Sequence, residues 1–87
     1  MSRTVVYSKP QCSFCDKAKH LLKTKNIPFE ERIIGKDLTP QQLFEEFEAN
    51  DMPQPRSVPQ IILHGKYVGG YDKLVQYIED HGLSHNH

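Results

Sequence analysis

The spacing of hydrophobic positions changes along the first third of the chain from strand-like to helix-like and back. Residues 4–7 form a β-branched and aromatic run, which predicts a buried strand. From Cys12 onward the apolar positions recur near a 3.6-residue period, which predicts a helix that ends at a left-handed Asn26 before Pro28. Residues 29–34 alternate weakly and predict a second strand. A strand, a helix and a strand of these lengths predict a right-handed βαβ unit with parallel strands.

The second predicted helix has a clear start signal. Thr39 takes the N-cap position, Pro40 takes the first helical position, and Gln42 completes a capping box. The predicted apolar face of this helix consists of Leu43, Phe44 and Phe47. The helix is expected to end near residue 50, and residues 52–56 are predicted as a loop that two prolines stiffen.

A hairpin and a third helix complete the pattern. Residues 60–63 and 66–69 are strand-like and flank the turn His64-Gly65, so they predict two antiparallel strands. Asp72 is predicted to cap the last helix, which ends near residues 81–82. The inward-facing residues of that helix are predicted to be Leu74, Val75 and Ile78. We expect residues 83–87 to form a frayed tail.

The order of these elements predicts an α/β fold. One four-stranded mixed sheet flanked by three helices, in the order β-α-β-α-β-β-α, fits 87 residues. This is the thioredoxin-like architecture. A chain of this length holds one core, so we expect a single domain over residues 1–87.

Composition and charge exclude several classes of protein. No apolar run approaches the roughly 20 residues that span a bilayer, and the first residues lack the pattern of a signal peptide, so we expect a cytoplasmic protein without membrane contact. Residues 1–36 carry eight Lys/Arg against three acidic residues, and residues 37–87 carry three against eight. The net charge is zero and the lysines lack interleaved aromatic residues, which argues against nucleic-acid binding.

The two cysteines, Cys12 and Cys15, form a single Cys-x-x-Cys motif in the positive half of the chain. A structural disulfide is disfavoured in the reducing cytosol. A closed zinc site needs about four ligands, and there is no second Cys-x-x-Cys. The motif follows a predicted strand and begins a predicted helix, which is the setting of a redox motif.

The predicted helix start assigns different roles to the two thiols. Cys12 faces unpaired backbone N–H groups and the positive end of the helix dipole, and Lys9 adds a nearby charge. Such sites lower the pKa of a thiol from about 8.5 to about 3.5–7.5. Cys12 is therefore the predicted nucleophile. Cys15, one turn further along, is the predicted resolving thiol, and exchange proceeds through a mixed disulfide.

Three segments together resemble the glutaredoxin family. Residues 7–15 (YSKPQCSFC) are similar to its active-site loop, residues 57–59 (SVP) to its Thr-Val-Pro segment, and residues 69–72 (GGYD) to its Gly-Gly-x-Asp segment. They occur in the family's order and spacing, and the match runs from about residue 4 to residue 81. The resemblance implies a dithiol enzyme that reduces protein disulfides and glutathione mixed disulfides, with glutathione as reducing co-substrate.

The resemblance also implies how glutathione is held. A cis bond before Pro59 leaves the Val58 backbone free to pair with the cysteinyl amide of glutathione. Asp72 and the start of the last helix receive the γ-glutamyl group, Gly70 allows close approach, and Lys9 reaches the glycyl carboxylate. The full set of positions expected to bind glutathione is Lys9, Phe14, Arg56, Ser57, Val58, Pro59, Gly70, Tyr71 and Asp72.

Two other functions stay open at this point. Ser13 and Phe14 stand where the family usually has Pro-Tyr, and serine after the first cysteine resembles a subset that holds a [2Fe–2S] cluster between two protomers. A redox-silent interaction domain is the third hypothesis, and the intact Cys-x-x-Cys argues against it. For the leading hypothesis the expected partners of a monomer are glutathione and disulfide-containing or glutathionylated proteins, with ribonucleotide reductase as one candidate.

Overall fold

The computed structural model describes residues 3–81, with a four-stranded mixed sheet at its centre. The strands are β1 (Val5–Ser8), β2 (Glu30–Ile33), β3 (Gln60–Leu63) and β4 (Lys66–Gly69). The helices are α1 (Ser13–Thr24), α2 (Pro40–Ala49) and α3 (Tyr71–His81). The sheet order is β2-β1-β3-β4; β1 runs parallel to β2 and antiparallel to β3, and β3 runs antiparallel to β4. The predicted element order and thioredoxin-like fold are confirmed.

Capping residues fix where α1 ends and where α2 begins. The N–H of Asn26 donates to Lys23 and the N–H of Ile27 donates to Leu22, with Asn26 at a φ of 59°. This pair of hydrogen bonds is the Schellman motif, in the left-handed conformation predicted for Asn26. At the start of α2 the predicted capping box is present, since the Thr39 hydroxyl accepts from the Gln42 N–H and the Gln42 side chain accepts from the Thr39 N–H.

Two apolar layers hold the helices to the sheet. On one face, α1 and α3 pack on the centre of the sheet, with Val6, Ala18, Leu22, Ile61, Leu63, Leu74 and Ile78 in a common cluster. On the other face α2 packs through Val5, Tyr7, Leu38, Leu43 and Phe47. The Tyr7 hydroxyl donates to Glu46, and burial together with this carboxylate raises the pKa of Tyr7.

Three sequence expectations need correction. Phe44 was expected on the buried face of α2 but is 41% exposed, because it lies one residue from Leu43 and about 100° around the helix. Asp72 lies inside the first turn of α3 and does not cap it, since that helix begins at Tyr71. Strands β1 and β2 begin one residue later than predicted, and Ile34 forms only an isolated bridge to Leu38.

The predicted frayed tail, residues 83–87, lies outside the described residues. Over residues 3–81, no helix has the length and apolar character needed to cross a membrane.

Candidate active site

Cys12 occupies the N-cap position of α1, between the end of β1 and the first helical turn. Its backbone is extended, with φ −115° and ψ 107°, and its Sγ accepts a hydrogen bond from the Cys15 N–H at 3.2 Å. The free N–H groups of a helix start stabilise negative charge in the same direction as the helix dipole. The site therefore favours a thiolate at Cys12 when the protein is reduced.

The two cysteines are joined in a disulfide and differ in access to solvent. Cys15 is 1% exposed and packs in the protein interior, whereas Cys12 is partly exposed. A substrate sulfur can therefore reach Cys12 but not Cys15. This difference agrees with the roles of nucleophile for Cys12 and resolving thiol for Cys15.

A groove of about 320 Å³ borders this pair between the loop before β3 and the start of α3. Seven of the nine predicted glutathione-binding positions line it, namely Phe14, Ser57, Val58, Pro59, Gly70, Tyr71 and Asp72. Lys9 and Arg56 are exposed and do not belong to the lining. Lys73, which was not among the predicted positions, completes it.

The groove leaves the Val58 backbone free for a ligand. The Val58–Pro59 bond is cis, as expected, and the Val58 carbonyl oxygen lies 3.9 Å from the Cys12 Sγ. Within residues 3–81, Val58 makes no backbone hydrogen bond to another part of the chain. A peptide that contains cysteine and pairs with Val58 as an extended strand would thus place the sulfur of that cysteine next to Cys12.

Two residues that the sequence did not single out support this loop. Gln60, only 6% exposed, donates from Nε2 to the Ser57 carbonyl at 2.7 Å and accepts from the Tyr67 hydroxyl at 2.8 Å. Burial raises the pKa of Tyr67, so its hydroxyl stays protonated and remains a donor at neutral pH. The sequence signal was a glutamine at the first position of the predicted strand 60–63, where burial would oblige the amide to find partners.

A charged network lies next to the active-site helix. Lys19, on α1, contacts Glu31 of β2 at 2.6 Å, and the Ser8 hydroxyl donates to the same carboxylate at 2.9 Å. The hydrogen bond from Lys19 lowers the pKa of Glu31, and the hydrogen bond to Glu31 raises the pKa of Lys19. The network ties α1 to the two strands beneath it.

A larger cavity, of about 660 Å³, lies on the α2 face of the sheet beside Tyr7, Arg32, Glu46 and Tyr67. Its lining includes neither Phe14 nor Val58, the two residues that place the smaller groove next to Cys12, so its size does not make it the site of thiol chemistry. Among the residues that the structure describes, no cluster of three or more His, Cys, Asp or Glu side chains could hold a metal ion.

Comparison with known proteins agrees with this geometry. The family model for Glutaredoxin matches residues 4–68. Glutaredoxin 3 of Escherichia coli K12 is 30% identical over 74 residues, which are 85% of this chain and 83% of that protein. The Haemophilus influenzae protein "Hybrid peroxiredoxin hyPrx5" is 39% identical over 72 residues, and rice Glutaredoxin-C8 is 31% identical over 80. Those matches cover 83% and 92% of this chain but only 27% and 59% of the two relatives.

The fold comparison gives the same family. The crystal structure of Glutaredoxin 1 from Francisella tularensis, complexed with cacodylate, superimposes with a TM-score of 0.76 at 25% identity. The superposition covers 95% of this chain and 98% of that one. With the family model matched over residues 4–68 and the Cys12–Cys15 pair at the start of α1, this chain belongs to the glutaredoxin family.

Proposed function

We propose that this chain is a glutathione-dependent thiol–disulfide oxidoreductase that reduces protein disulfides and glutathione mixed disulfides. One observation carries the proposal: a partly exposed Cys12 at a helix N-cap lies beside a groove with an unpaired Val58 backbone on one side and the start of α3 on the other. Membership of the family and the Cys12–Cys15 disulfide support it.

The reductive half of the cycle uses both thiols. The Cys12 thiolate attacks one sulfur of a substrate disulfide, and the other sulfur leaves and takes a proton from solvent. The resulting mixed disulfide joins Cys12 to the substrate. Cys15 then loses its proton and attacks the Cys12 Sγ, which releases the substrate as its second thiol and forms the Cys12–Cys15 disulfide.

Two glutathione molecules restore the dithiol. The first glutathione thiolate attacks the Cys12 Sγ, which leaves Cys12 glutathionylated and Cys15 reduced. The second attacks the sulfur of the bound glutathione and leaves as glutathione disulfide, while Cys12 departs as thiolate. The second step requires that the bound glutathione lie with its sulfur exposed, and the open groove beside Cys12 provides this.

The groove supplies distinct partners for the parts of glutathione. The Val58 backbone pairs with the cysteinyl unit as an added strand would. The N–H groups at the start of α3 receive the γ-glutamyl carboxylate, and Asp72 receives the ammonium. Lys9 and Arg56, which lie outside the lining, would meet the glycyl carboxylate only at the edge of the groove.

A comparison of two thiol reductants tests the recognition of glutathione. We expect kcat/KM for glutathione to exceed that for cysteinylglycine, which lacks the γ-glutamyl group, by about tenfold, because charged hydrogen bonds are lost. Asp72→Asn should reduce this ratio, whereas Asp80→Asn, at the other end of α3, should leave it unchanged. Equal kcat/KM values for the two thiols in the wild-type protein would refute the proposed groove.

The protein substrates belong to the same proposal. Disulfide-containing and glutathionylated proteins are the substrate class, with ribonucleotide reductase as one candidate and a peroxiredoxin as another. The second candidate is favoured by the similarity to a segment of the H. influenzae hybrid peroxiredoxin. We further propose that the chain acts as a single-domain cytoplasmic monomer.

A [2Fe–2S] cluster shared between two protomers is the second candidate function. Ser13, which stands where the family usually has proline, begins α1 and is exposed beside Cys12. Without a proline ring the turn is less rigid, so the Cys12 thiolate could turn outward to a metal. One chain supplies only part of such a site, because the cluster needs four thiolates and Cys15 is buried. The four thiolates would come from the Cys12 of each protomer and from the cysteines of two glutathione molecules. Anaerobic reconstitution with iron, sulfide and glutathione should then give a brown dimer, in lower yield for Ser13→Pro; a colourless monomer would exclude this function.

A further inference from the structure

A second cavity, which the proposed glutathione site does not use, lies between α1 and α3. It has a volume of about 510 Å³, and Asp16, Lys17, His20, Leu21, Thr24 and Tyr71 line it. Leu21 and Tyr71 also pack against the main core, so they form a fixed apolar floor. His20 and Thr24 are exposed at its rim.

This cavity is continuous with the active-site groove. Tyr71 lines both, and its ring lies 6.1 Å from that of Phe14, which lines the groove and is 52% exposed. Lys17, which lines the cavity, has its ammonium 5.1 Å from the centre of the Phe14 ring. Two neighbouring aromatic rings, Phe14 and Tyr71, therefore connect the edge of the glutathione groove to the cavity.

The cations around this surface indicate the charge of its partner. Lys17 lines the cavity and Lys73 lines the groove; both are exposed, and neither forms an ion pair with any residue between Arg3 and His81. Asp16, the acidic residue of the cavity, contacts Lys19 at 3.5 Å. A segment with acidic side chains would complement these free cations.

We propose that this cavity is a subsite for protein substrates. It takes a large apolar side chain from an acidic polypeptide segment whose cysteine reacts with Cys12. The proposal rests on thiol–disulfide exchange at Cys12 but not on the use of glutathione. The distance from Cys12 to the cavity sets the spacing between the reacting cysteine and the apolar residue of the substrate. The cavity centre, near His20, lies eight residues along α1 from Cys12, or about 12 Å. An extended chain spans this distance in about four residues.

The reaction that would use this subsite is the exchange already described. The Cys12 thiolate attacks the sulfur of the substrate cysteine, and the partner thiol of that cysteine leaves. Cys15 then displaces the substrate from Cys12 as a thiol, and the Cys12–Cys15 disulfide forms. The apolar side chain takes no part in the chemistry; it holds the attacked sulfur near Cys12 and so raises kcat/KM.

Single-turnover kinetics with synthetic peptides, without glutathione, test the proposal. Each peptide carries one cysteine in mixed disulfide with thionitrobenzoate, glutamate beside the cysteine, and either leucine or serine four residues before or after it. Pre-reduced protein releases coloured thionitrobenzoate. We expect the leucine peptide to react about tenfold faster than its serine partner in at least one orientation, from burial of one leucine side chain.

Variants that fill the cavity separate the subsite from general apolar attraction. Thr24→Trp should abolish the preference for leucine, and His20→Trp, one turn earlier, should do the same if Thr24→Trp folds poorly by circular dichroism. Lys23→Trp is the matched control, since Lys23 is exposed beside Thr24 but lines a different hollow next to Ile27, and it should keep the preference. All three variants should release thionitrobenzoate from its mixed disulfide with cysteine at the wild-type rate.

Four results would overturn the proposal. Equal rates for the leucine and serine peptides in the wild-type protein would remove the subsite while leaving the proposed function intact. A leucine preference that survives both filling variants would place the contact elsewhere. A protein dimer at assay concentration that Thr24→Trp dissociates would assign the cavity to a second copy of this chain. No release from any peptide would contradict thiol exchange itself and the subsite with it.

Discussion

At the residue scale, Cys12 and Cys15 differ in burial and in hydrogen bonding, and this difference predicts unequal reactivity. In the reduced protein, iodoacetamide should alkylate Cys12 first and at a pH below the ordinary range for a cysteine, because the N–H groups of the α1 start stabilise its thiolate. Cys15, 1% exposed, should stay unmodified under the same conditions. Peptide mapping over a series of pH values measures both rates, and equal alkylation of the two thiols would contradict their assigned roles.

The adjacent residues Gly69 and Gly70 are glycine for different reasons: Gly69 is required for stability of the fold, and Gly70 for binding of the ligand. A Cβ at Gly70 would lie 3.6 Å from the Pro59 carbonyl oxygen, an ordinary contact, yet it would project at the groove. Gly70→Ala should therefore leave the free energy of unfolding nearly unchanged and raise the KM for glutathione severalfold. Gly69 has a φ of 121°, and a Cβ there would lie 3.2 Å from Lys73 Cγ, so Gly69→Ala should destabilise the protein by about 1 kcal/mol or more. Urea unfolding and steady-state kinetics on both variants distinguish the two effects.

At the element scale, the contact between Lys19 and Glu31 makes the attachment of α1 to β2 depend on pH. The folded-state pKa of Glu31 is lowered, so its contribution is present above the ordinary carboxyl value of 4.5 and is lost as pH falls through the folded value. The pKa of Lys19 is raised, so its contribution is present below the ordinary value of 10.5 and is lost as pH rises through the folded value.

Glu31→Gln tests this linkage by urea unfolding. At pH 7 it should cost about 1 kcal/mol, because a partly buried lysine loses its charged partner, and the difference from wild type should shrink at acid pH. Glu30→Gln is the matched control on the same strand. Glu30 pairs with Arg3, and because the two side chains are 51% and 60% exposed, the loss of this pair should cost no more than about 0.5 kcal/mol. A cost for Glu31→Gln that did not vary with pH would contradict the ionic origin of the contribution.

The elements that the sequence predicted well are those specified by neighbouring residues. The capping box at Thr39 and the left-handed Asn26 depend on atoms a few residues away, so the pattern alone identifies them. Phe44 and the support of the Ser57 loop by Gln60 depend on which face each side chain presents to distant elements. Because local spacing encodes neither contact, neither could be predicted from the pattern of residues.

At the scale of the whole molecule, the fold brings together segments that are far apart in the chain. The active-site groove combines the start of α1, the loop before β3 and the start of α3. The resemblance of three spaced motifs was sufficient to predict seven of its eight lining residues; Lys73 was not among them, because the motif ends at Asp72. The cavity between α1 and α3 has no motif of its own, since it arises only from the packing of two helices.

The central claim is that Cys12 performs thiol exchange with glutathione. Its most direct test is turnover of a glutathionylated peptide, with glutathione as the sole reductant and glutathione disulfide as the measured product. We predict that Cys15→Ser retains this activity, because the exchange with glutathione needs only Cys12, and that Cys12→Ser loses it entirely. Turnover by Cys12→Ser, or a wild-type protein that works with dithiothreitol but not with glutathione, would contradict the account.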